Sequence, residues 1–218
     1  MNQDSRAGFT LIELLVVITI LSLLIVAFAP DIFGALTRGE KAADQANLRF
    51  HYAQLEQYRA KYQGLPTKPG HKFVLASWID GVCQKSEQNF SRFWTPGPTD
   101  QDPRFRELRE TAKLDPKSLW RSYDEVDSED THYAGVSTEQ LHSRTRLWTN
   151  ADEPLIANDN EFGWIFQDGT MHVLMGDGSV KVFNLKDLQT LGFDGDAEQE
   201  YVEVGPQSTI ELLRKLEH

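Results

Sequence analysis

The first pattern in the chain is a long apolar run near its N-terminus. From Phe9 to Ala29 the run is broken by four polar residues, Thr10, Glu13, Thr19 and Ser22. A helix rises about 1.5 Å per residue, so a helix of this length spans a hydrocarbon core of about 30 Å. The pattern predicts one membrane-crossing helix, with most of the 218-residue chain outside the bilayer.

A second helical pattern follows Pro30 and Gly34. Proline removes one backbone hydrogen bond and glycine is a poor helix former, so we predict a kink near Pro30. Segment 40–64 then carries apolar residues at three- and four-residue spacings, which predicts one broad buried face. That face consists of Ala43, Ala46, Leu48, Phe50, Leu55, Tyr58 and Tyr62. The helix is predicted to end at Gly64.

Short strands are predicted in the last third of the chain. Segments 153–158, 162–166 and 171–185 have the composition of a small antiparallel meander. Asp177 and Gly178 lie between two apolar runs of the third segment, which predicts a tight hairpin turn.

The middle of the chain is polar and its pattern is weaker. Segments 103–114 and 138–148 are predicted to be short helices. Segment 71–79 has strand-like composition, although the overlapping segment 75–84 is equally compatible with a short helix. Together the patterns predict an α+β fold, in which a long N-terminal helix, membrane-spanning in its first half, packs on a small antiparallel sheet.

Charge and cysteine content narrow the possible functions. Lys and Arg total 22 against 33 Asp and Glu, which gives a net charge of -11. An excess of negative charge opposes phosphate contacts, so we expect no nucleic-acid partner. Cys83 is the single cysteine, so the chain cannot form an internal disulfide.

Catalytic motifs are sparse, and we expect no enzyme. The six histidines show no metal-ligand spacing such as HExxH, and there is no Gly-rich phosphate loop or nucleophile elbow. Cys83 and His71 could be considered a thiol dyad, but their proximity in sequence does not establish their geometry.

Two common explanations of the apolar run are a cleaved secretory signal and an uncleaved signal anchor. Ala27-Phe28-Ala29 has the small-x-small pattern of a cleavage site, but Pro30 would follow the cut. The run also exceeds the usual apolar region of about 7–15 residues. A signal anchor gives no reason for the Glu13 carboxylate, because a charge within apolar surroundings is costly.

Residues 6–30 resemble the N-terminal segment of type IV pilins and of the pseudopilins of type II secretion systems. A short polar leader ends in Gly8, Phe9 follows, and Glu13 stands five residues after the glycine. The resemblance implies cleavage by a prepilin peptidase between Gly8 and Phe9, then methylation of the Phe9 amine. It also implies that Glu13 of one subunit pairs with the amino terminus of a neighbour. Simple capping of the helix by Glu13 is the alternative.

Two further segments resemble the same proteins. Segment 55–67 is similar to the end of the long helix in pseudopilins. Segment 172–183 resembles the C-terminal hairpin of planctomycete-type pilin-like proteins, whose pattern has a histidine and an Asp-Gly pair with nine residues between them. Here Gln167 stands at that position, and the nearest histidine is His172.

The resemblance implies four segments. These are a leader at 1–8, a transmembrane and assembly helix at 9–30, an extracytoplasmic helix half at 31–64, and a globular α+β pilin-like domain at 65–218. The implied location is the inner membrane, crossed once with the C-terminal domain outside the cytoplasm, and a periplasmic pseudopilus or filament after assembly. The implied partners are a prepilin peptidase, other pilin or pseudopilin subunits, the inner-membrane assembly platform and the lipid bilayer.

No cofactor is expected, apart from a weak candidate for calcium. Asp194, Asp196 and Glu198 stand at alternate positions and could bind Ca²⁺ if the loop curled, as in some major pseudopilins. The spacing lacks the glycine and the terminal glutamate of an EF-hand, so a solvated acidic turn is the simpler interpretation.

Two functions follow from these features. The first is a structural pilin-like subunit that is processed and then assembled through its N-terminal helix. The alternative is a single-pass anchored binding module that keeps the prepilin-type signal but forms no filament.

Overall fold

The computed structural model describes residues 10–97, 102–142, 150–160, 165–166, 168–195 and 201–218. Two compact units are distinguished within them, one reaching to Glu40 and the other extending from Lys41 to His218.

Helix α1 extends from Leu11 to Tyr62. Arg59 and Lys61 lie in its last turn, where positive charge interacts favourably with the helix dipole. The helix ends because Gln63 adopts a φ of 58°, a left-handed conformation that cannot continue a right-handed helix. The residues on both sides of Pro30 are helical, and the kink at Pro30 stays a prediction.

The second unit contains an antiparallel sheet. Its strands are β1 (Tyr133–Val136), β2 (Pro154–Asn158), β3 (Met171–Met175), β4 (Val180–Phe183) and β5 (Leu216–Glu217). Their order across the sheet is β4-β3-β2-β1-β5. The strands β2, β3 and β4 confirm the predicted meander, although residues 162–164 of the predicted 162–166 strand lie outside the described residues.

Shorter helices surround the sheet. They are α2 (His71–Ile79), α3 (Glu87–Phe90), α4 (Pro103–Leu114), α5 (Thr138–Leu141) and α6 (Leu185–Thr190). Helix α4 has the predicted bounds, so that prediction is confirmed. In the predicted helix 138–148, α5 forms the first four residues, and residues 143–148 lie outside the described residues. Segment 71–79 is helical, so the strand predicted from its composition is wrong. Seven of its nine residues are buried, so the helix has no exposed polar face whose spacing would indicate a helix in the sequence.

Both faces of the sheet are buried. Helix α1 packs on one face through Leu48 and Leu55, together with the aromatic side chains of the segment 73–120. The other face is covered by Leu188 of α6 and by apolar residues of the segment 202–213. In β3, Leu174 points into the first core and its neighbours Val173 and Met175 point into the second, as a strand between two layers requires.

The face that α1 buries differs from the predicted one. Leu48, Leu55 and Tyr58 are buried as expected. Phe50 is half-buried and packs against the core, whereas Ala43, Ala46 and Tyr62 are exposed, so these last three predictions were wrong. The buried positions are instead shared with polar residues, namely Asp44, Asn47, His51 and Gln54. Apolar periodicity could not identify this face because Asp44, Asn47 and His51 find hydrogen-bond partners in the rest of the fold.

Candidate functional site

The N-terminal turn of α1 contains the one predicted assembly residue that the structure describes. The backbone N of Thr10 donates to Glu13 Oε2 at 2.9 Å, and its hydroxyl donates to the same oxygen at 2.7 Å. The backbone N of Glu13 donates back to Thr10 Oγ1 at 3.3 Å. This reciprocal arrangement is a capping box, which satisfies backbone N–H groups at the start of a helix. Gly8 and Phe9 lie outside the described residues.

The first half of α1 exposes an apolar surface. Leu11 and Val26 are 82% and 74% exposed, and the other large apolar side chains between them are exposed as well. The hydroxyls of Thr19 and Ser22 donate to the carbonyls of Leu15 and Ile18 at 2.8 and 2.7 Å. These polar groups are therefore satisfied within the helix itself, as a bilayer or an apolar partner surface requires. Within the described residues, α1 alone is long and apolar enough to cross a membrane.

The comparisons with known proteins identify this segment. Residues 4–29 match the family model of the prokaryotic N-terminal methylation motif. The match supports a type IV pilin-like protein that is processed by a prepilin peptidase. Neither a curated protein nor a solved structure was found to match the chain.

The motif and the helix bear on the class and the location of the protein. The motif marks structural subunits rather than enzymes and implies assembly with other pilin subunits. The motif together with one apolar helix that begins within it is consistent with a single-pass anchor in the inner membrane.

The second half of α1 is tied to the sheet by a buried carboxylate. Asp44 is fully buried and contacts one side chain from each of three neighbouring strands. The Tyr133 hydroxyl donates to Oδ1, Asn158 Nδ2 donates to Oδ2 at 3.0 Å, and His172 Nδ1 lies 2.5 Å from Oδ2. Burial, together with the Asp44 carboxylate, raises the pKa of Tyr133, so the phenol keeps its proton and donates it. The network fixes α1 on strands β1, β2 and β3 at one position.

Two more polar contacts support this attachment. Lys41 pairs with Asp168, and its Nζ donates to Thr170 Oγ1 at 2.7 Å. His51 is buried and its Nε2 lies 3.0 Å from the carbonyl oxygen of Arg92. Burial lowers the pKa of His51 to about 4, so the imidazole is neutral at pH 7 and donates to that carbonyl.

The predicted Asp-Gly turn joins β3 and β4 directly beneath α1. Asp177 Oδ1 accepts from the backbone N of Ser179 at 2.9 Å, and Gly178 has a φ of 84°. A Cβ atom at Gly178 would lie 2.6 Å from the Tyr52 ring. Glycine is therefore required both by the backbone conformation and by the close approach of α1. The prediction of a tight hairpin is confirmed.

The histidine of this hairpin has a different place from that in the planctomycete-type pattern. Gln167 lies outside the described residues. His172 points from β3 to Asp44 and is fully buried. Asp44 and His172 were missed by sequence reasoning, since an acid and a histidine 128 positions apart gave no local pattern. The only available signal was that Asp44 falls one helical turn before Leu48 on the buried face.

The remaining candidate residues are the three acidic residues considered for calcium and the single cysteine. Asp194 is exposed, and Asp196 and Glu198 lie outside the described residues. Cys83 is buried, and its Sγ contacts the carbonyl oxygen of Gln84 at 3.6 Å. Burial raises the pKa of the Cys83 thiol to about 11, so the reactive thiolate is scarce at neutral pH.

Proposed function

We propose that this chain is a structural subunit that a prepilin peptidase cleaves between Gly8 and Phe9. The new Phe9 amine is methylated, and the processed chain assembles through α1 into a type IV pilus-like filament or a type II secretion pseudopilus. The observation that carries the proposal is a methylation motif at residues 4–29 that includes the first part of α1, where the large apolar side chains are exposed among the described residues.

Glu13 serves two purposes in this proposal. One oxygen, Oε2, already caps the helix by accepting from Thr10. Among the described residues, the other oxygen has no hydrogen-bond partner, so it is available to the cationic Phe9 amine of a neighbouring subunit. An opposite charge a few ångströms away offsets much of the cost of holding a carboxylate in apolar surroundings. Correct register between subunits satisfies both charges.

The attachment of α1 to the sheet supports the same function. Asp44 binds three strands at once, so the part of α1 that follows Lys41 is held on the sheet within the second unit. The subunit remains single-pass in the inner membrane until the assembly platform extracts it, and its partners are other pilin or pseudopilin subunits.

The two purposes of Glu13 are separated by three variants. Glu13→Gln keeps an oxygen that can accept from Thr10 and so preserves the capping box, but it removes the charge. Glu13→Ala removes both, and Thr10→Ala weakens the cap while it keeps the carboxylate. We expect all three chains to be inserted and cleaved, and sheared filaments to be recovered only from Thr10→Ala.

The readout is the amount of processed chain in sheared filaments and in the inner membrane, measured by immunoblotting. Normal filament yield from Glu13→Gln would show that the carboxylate is only a helix cap. A wild-type chain that is processed but never leaves the membrane would contradict assembly and favour an anchored binding module.

A further inference from the structure

Three side chains from distant parts of the second unit converge at one end of the sheet. His71 begins α2, Asp159 directly follows β2, and His218 directly follows β5. Asp159 Oδ2 lies 2.8 Å from His71 Nε2 and 2.7 Å from His218 Nδ1. The donor atoms of all three residues lie within 4.8 Å of one another.

The backbone fixes this convergence. Strand β1 pairs with β2 on one side, where Tyr133 faces Asn158, and with β5 on the other, where Gly135 faces Glu217. Both partners run antiparallel to β1, so β2 and β5 both end at the edge of the sheet where β1 begins.

Helix α2 is brought to the same place by a close backbone contact. The backbone N of Gly70 donates to the carbonyl oxygen of Val136 at 3.0 Å. A Cβ atom on Gly135 would lie 2.3 Å from the Gly70 carbonyl oxygen, so only a glycine in β1 lets the start of α2 approach this closely. His71 is the next residue, and its position is therefore set by main-chain packing.

The cluster is buried on one side and accessible on the other. The side chains of His71 and Asp159 are 3% and 6% exposed, whereas that of His218 is 30% exposed. The second nitrogen of His71, Nδ1, is buried without a hydrogen-bond partner among the described residues. Burying an imidazole and a carboxylate is costly unless their polar atoms are paired. A cation at the shared point would bind His71 Nε2, Asp159 Oδ2 and His218 Nδ1 together, in place of the two hydrogen bonds that now join them.

The donor set selects the class of cation. Calcium and magnesium prefer shells made of oxygen ligands. Two imidazole nitrogens with one carboxylate oxygen suit zinc and related first-row divalent metals, with Zn–N and Zn–O distances of about 2.0–2.2 Å. Ligand atoms around a tetrahedral zinc ion lie about 3.3 Å apart, so the separations of 2.7 and 2.8 Å widen by about 0.5 Å each when the ion binds, and all three atoms already lie within 4.8 Å of one another.

We propose that His71, Asp159 and His218 bind one zinc-class divalent ion, with water in the fourth position. The ion reaches the cluster past the exposed edge of His218. It joins α2 and the ends of β2 and β5, and so secures the two-residue strand β5 at the edge of the sheet. This site is independent of filament assembly.

The test uses the full, tag-free chain in detergent after removal of metal with a chelator. ZnCl₂ is added, unbound metal is removed, and bound zinc is measured by inductively coupled plasma mass spectrometry. CoCl₂ is used in parallel, because tetrahedral Co²⁺ gives a strong visible absorption. We expect one zinc per wild-type chain, a rise in the thermal unfolding midpoint with ZnCl₂, and a visible Co²⁺ spectrum.

His218→Asn is the decisive variant. The asparagine amide can still donate a hydrogen bond to Asp159, and the position is partly exposed, so the fold is retained while a nitrogen ligand is lost. We expect zinc affinity to fall by more than about 100-fold. Loss of a residue that only hydrogen-bonds to a metal ligand typically costs about 10–100-fold, so a larger loss indicates that His218 binds the metal directly. The matched control is His142→Asn, which removes an exposed imidazole elsewhere and should leave one zinc bound.

Three results would overturn the proposal. The first is a wild-type chain with no stoichiometric zinc, which would make the cluster a hydrogen-bonded triad. The second is equal zinc content in wild type and His218→Asn. The third is stabilisation by CaCl₂ that His218→Asn removes, because that would assign the cluster to an oxygen-preferring cation.

Discussion

His51 should make the stability of the second unit depend on pH in a defined window. The imidazole is buried against Phe93 and Tyr133 and donates to the Arg92 carbonyl oxygen. Burial lowers its pKa from 6.5 to about 4. In the unfolded chain the same group titrates near 6.5, so between these two values the unfolded state binds more protons than the folded state. The free energy of unfolding must therefore fall as the pH is lowered from 6.5 towards 4.

The size of the effect follows from the two pKa values. Each pH unit between them corresponds to about 1.4 kcal/mol, so the full contribution is about 3 kcal/mol and is lost by about pH 4. By pH 5 the loss is already about 2 kcal/mol. That is a large fraction of the roughly 5–15 kcal/mol by which domains are stable. Unpaired carboxylates, with ordinary pKa values near 4, contribute little above pH 5.

Denaturant unfolding followed by tryptophan fluorescence measures this loss. All five tryptophans lie after residue 41, so the signal reports the second unit in the full chain in detergent. His51→Gln is the informative variant, because its amide can still donate to the Arg92 carbonyl oxygen but cannot be protonated. Between pH 7.5 and pH 5, its stability should fall by about 2 kcal/mol less than that of the wild type. His142→Gln, at an exposed position, should follow the wild type within about 0.5 kcal/mol.

An identical pH dependence in the wild type and His51→Gln would refute the reasoning. It would mean that the imidazole is solvated or protonated in the folded state. A pH dependence of opposite sign, with greater stability at pH 5, would place an ion pair at His51 instead of a neutral hydrogen bond.

Three further predictions concern the attachment of α1 to the domain. Asp44→Ala leaves buried donors unpaired, so it should lower the free energy of unfolding by about 3–5 kcal/mol in a denaturant titration. The control Glu56→Ala, on the exposed side of α1, should change the free energy of unfolding by less than about 0.5 kcal/mol. Similar losses in the two variants would disprove the network. Gly178→Ala should cost about 1–2 kcal/mol from its left-handed backbone alone, and an unchanged transition midpoint would contradict the described turn. Removal of residues 1–30 should leave a soluble monomer by size-exclusion chromatography, since Leu48 and Leu55 of the remaining helix are buried in the core on the sheet. Aggregation under mild conditions would show that the division is misplaced.

Local features of the fold were predictable from sequence. The end of α1 near Gly64, helix α4 and the Asp177-Gly178 hairpin depend on neighbours within a few residues, so capping, periodicity and turn chemistry locate them. The apolar run was equally clear, because lipid imposes a length and a composition on any helix that crosses it.

Features that depend on distant partners were not predictable. Asp44 looks like a surface acid in the sequence, and only the arrival of three strands makes it a buried anchor. Helix α2 was not predictable for a similar reason. Neighbouring elements bury it on nearly every side, so its sequence lacks the alternation of polar and apolar faces that indicates a helix. Strand β5 is two residues long and pairs with β1 from the far end of the chain.

The same distinction between local and distant residues applies to the candidate sites. Gly8, Phe9 and Glu13 form a contiguous motif, which a single sequence can display. His71, Asp159 and His218 are separated by 88 and 59 positions, so spacing rules for metal ligands do not apply to them. Only the sheet register brings them to one point.

The central claim is that the chain is processed as a prepilin, and the mass of its N-terminus tests this most directly. The chain is purified from a host with a prepilin peptidase and from a matched host without one, and each is analysed by intact mass and by fragmentation. The account predicts a chain that starts at Phe9 and carries one added methyl group in the first host, and an unprocessed chain in the second. A Met1 start in both hosts, or a start at Pro30, would contradict it.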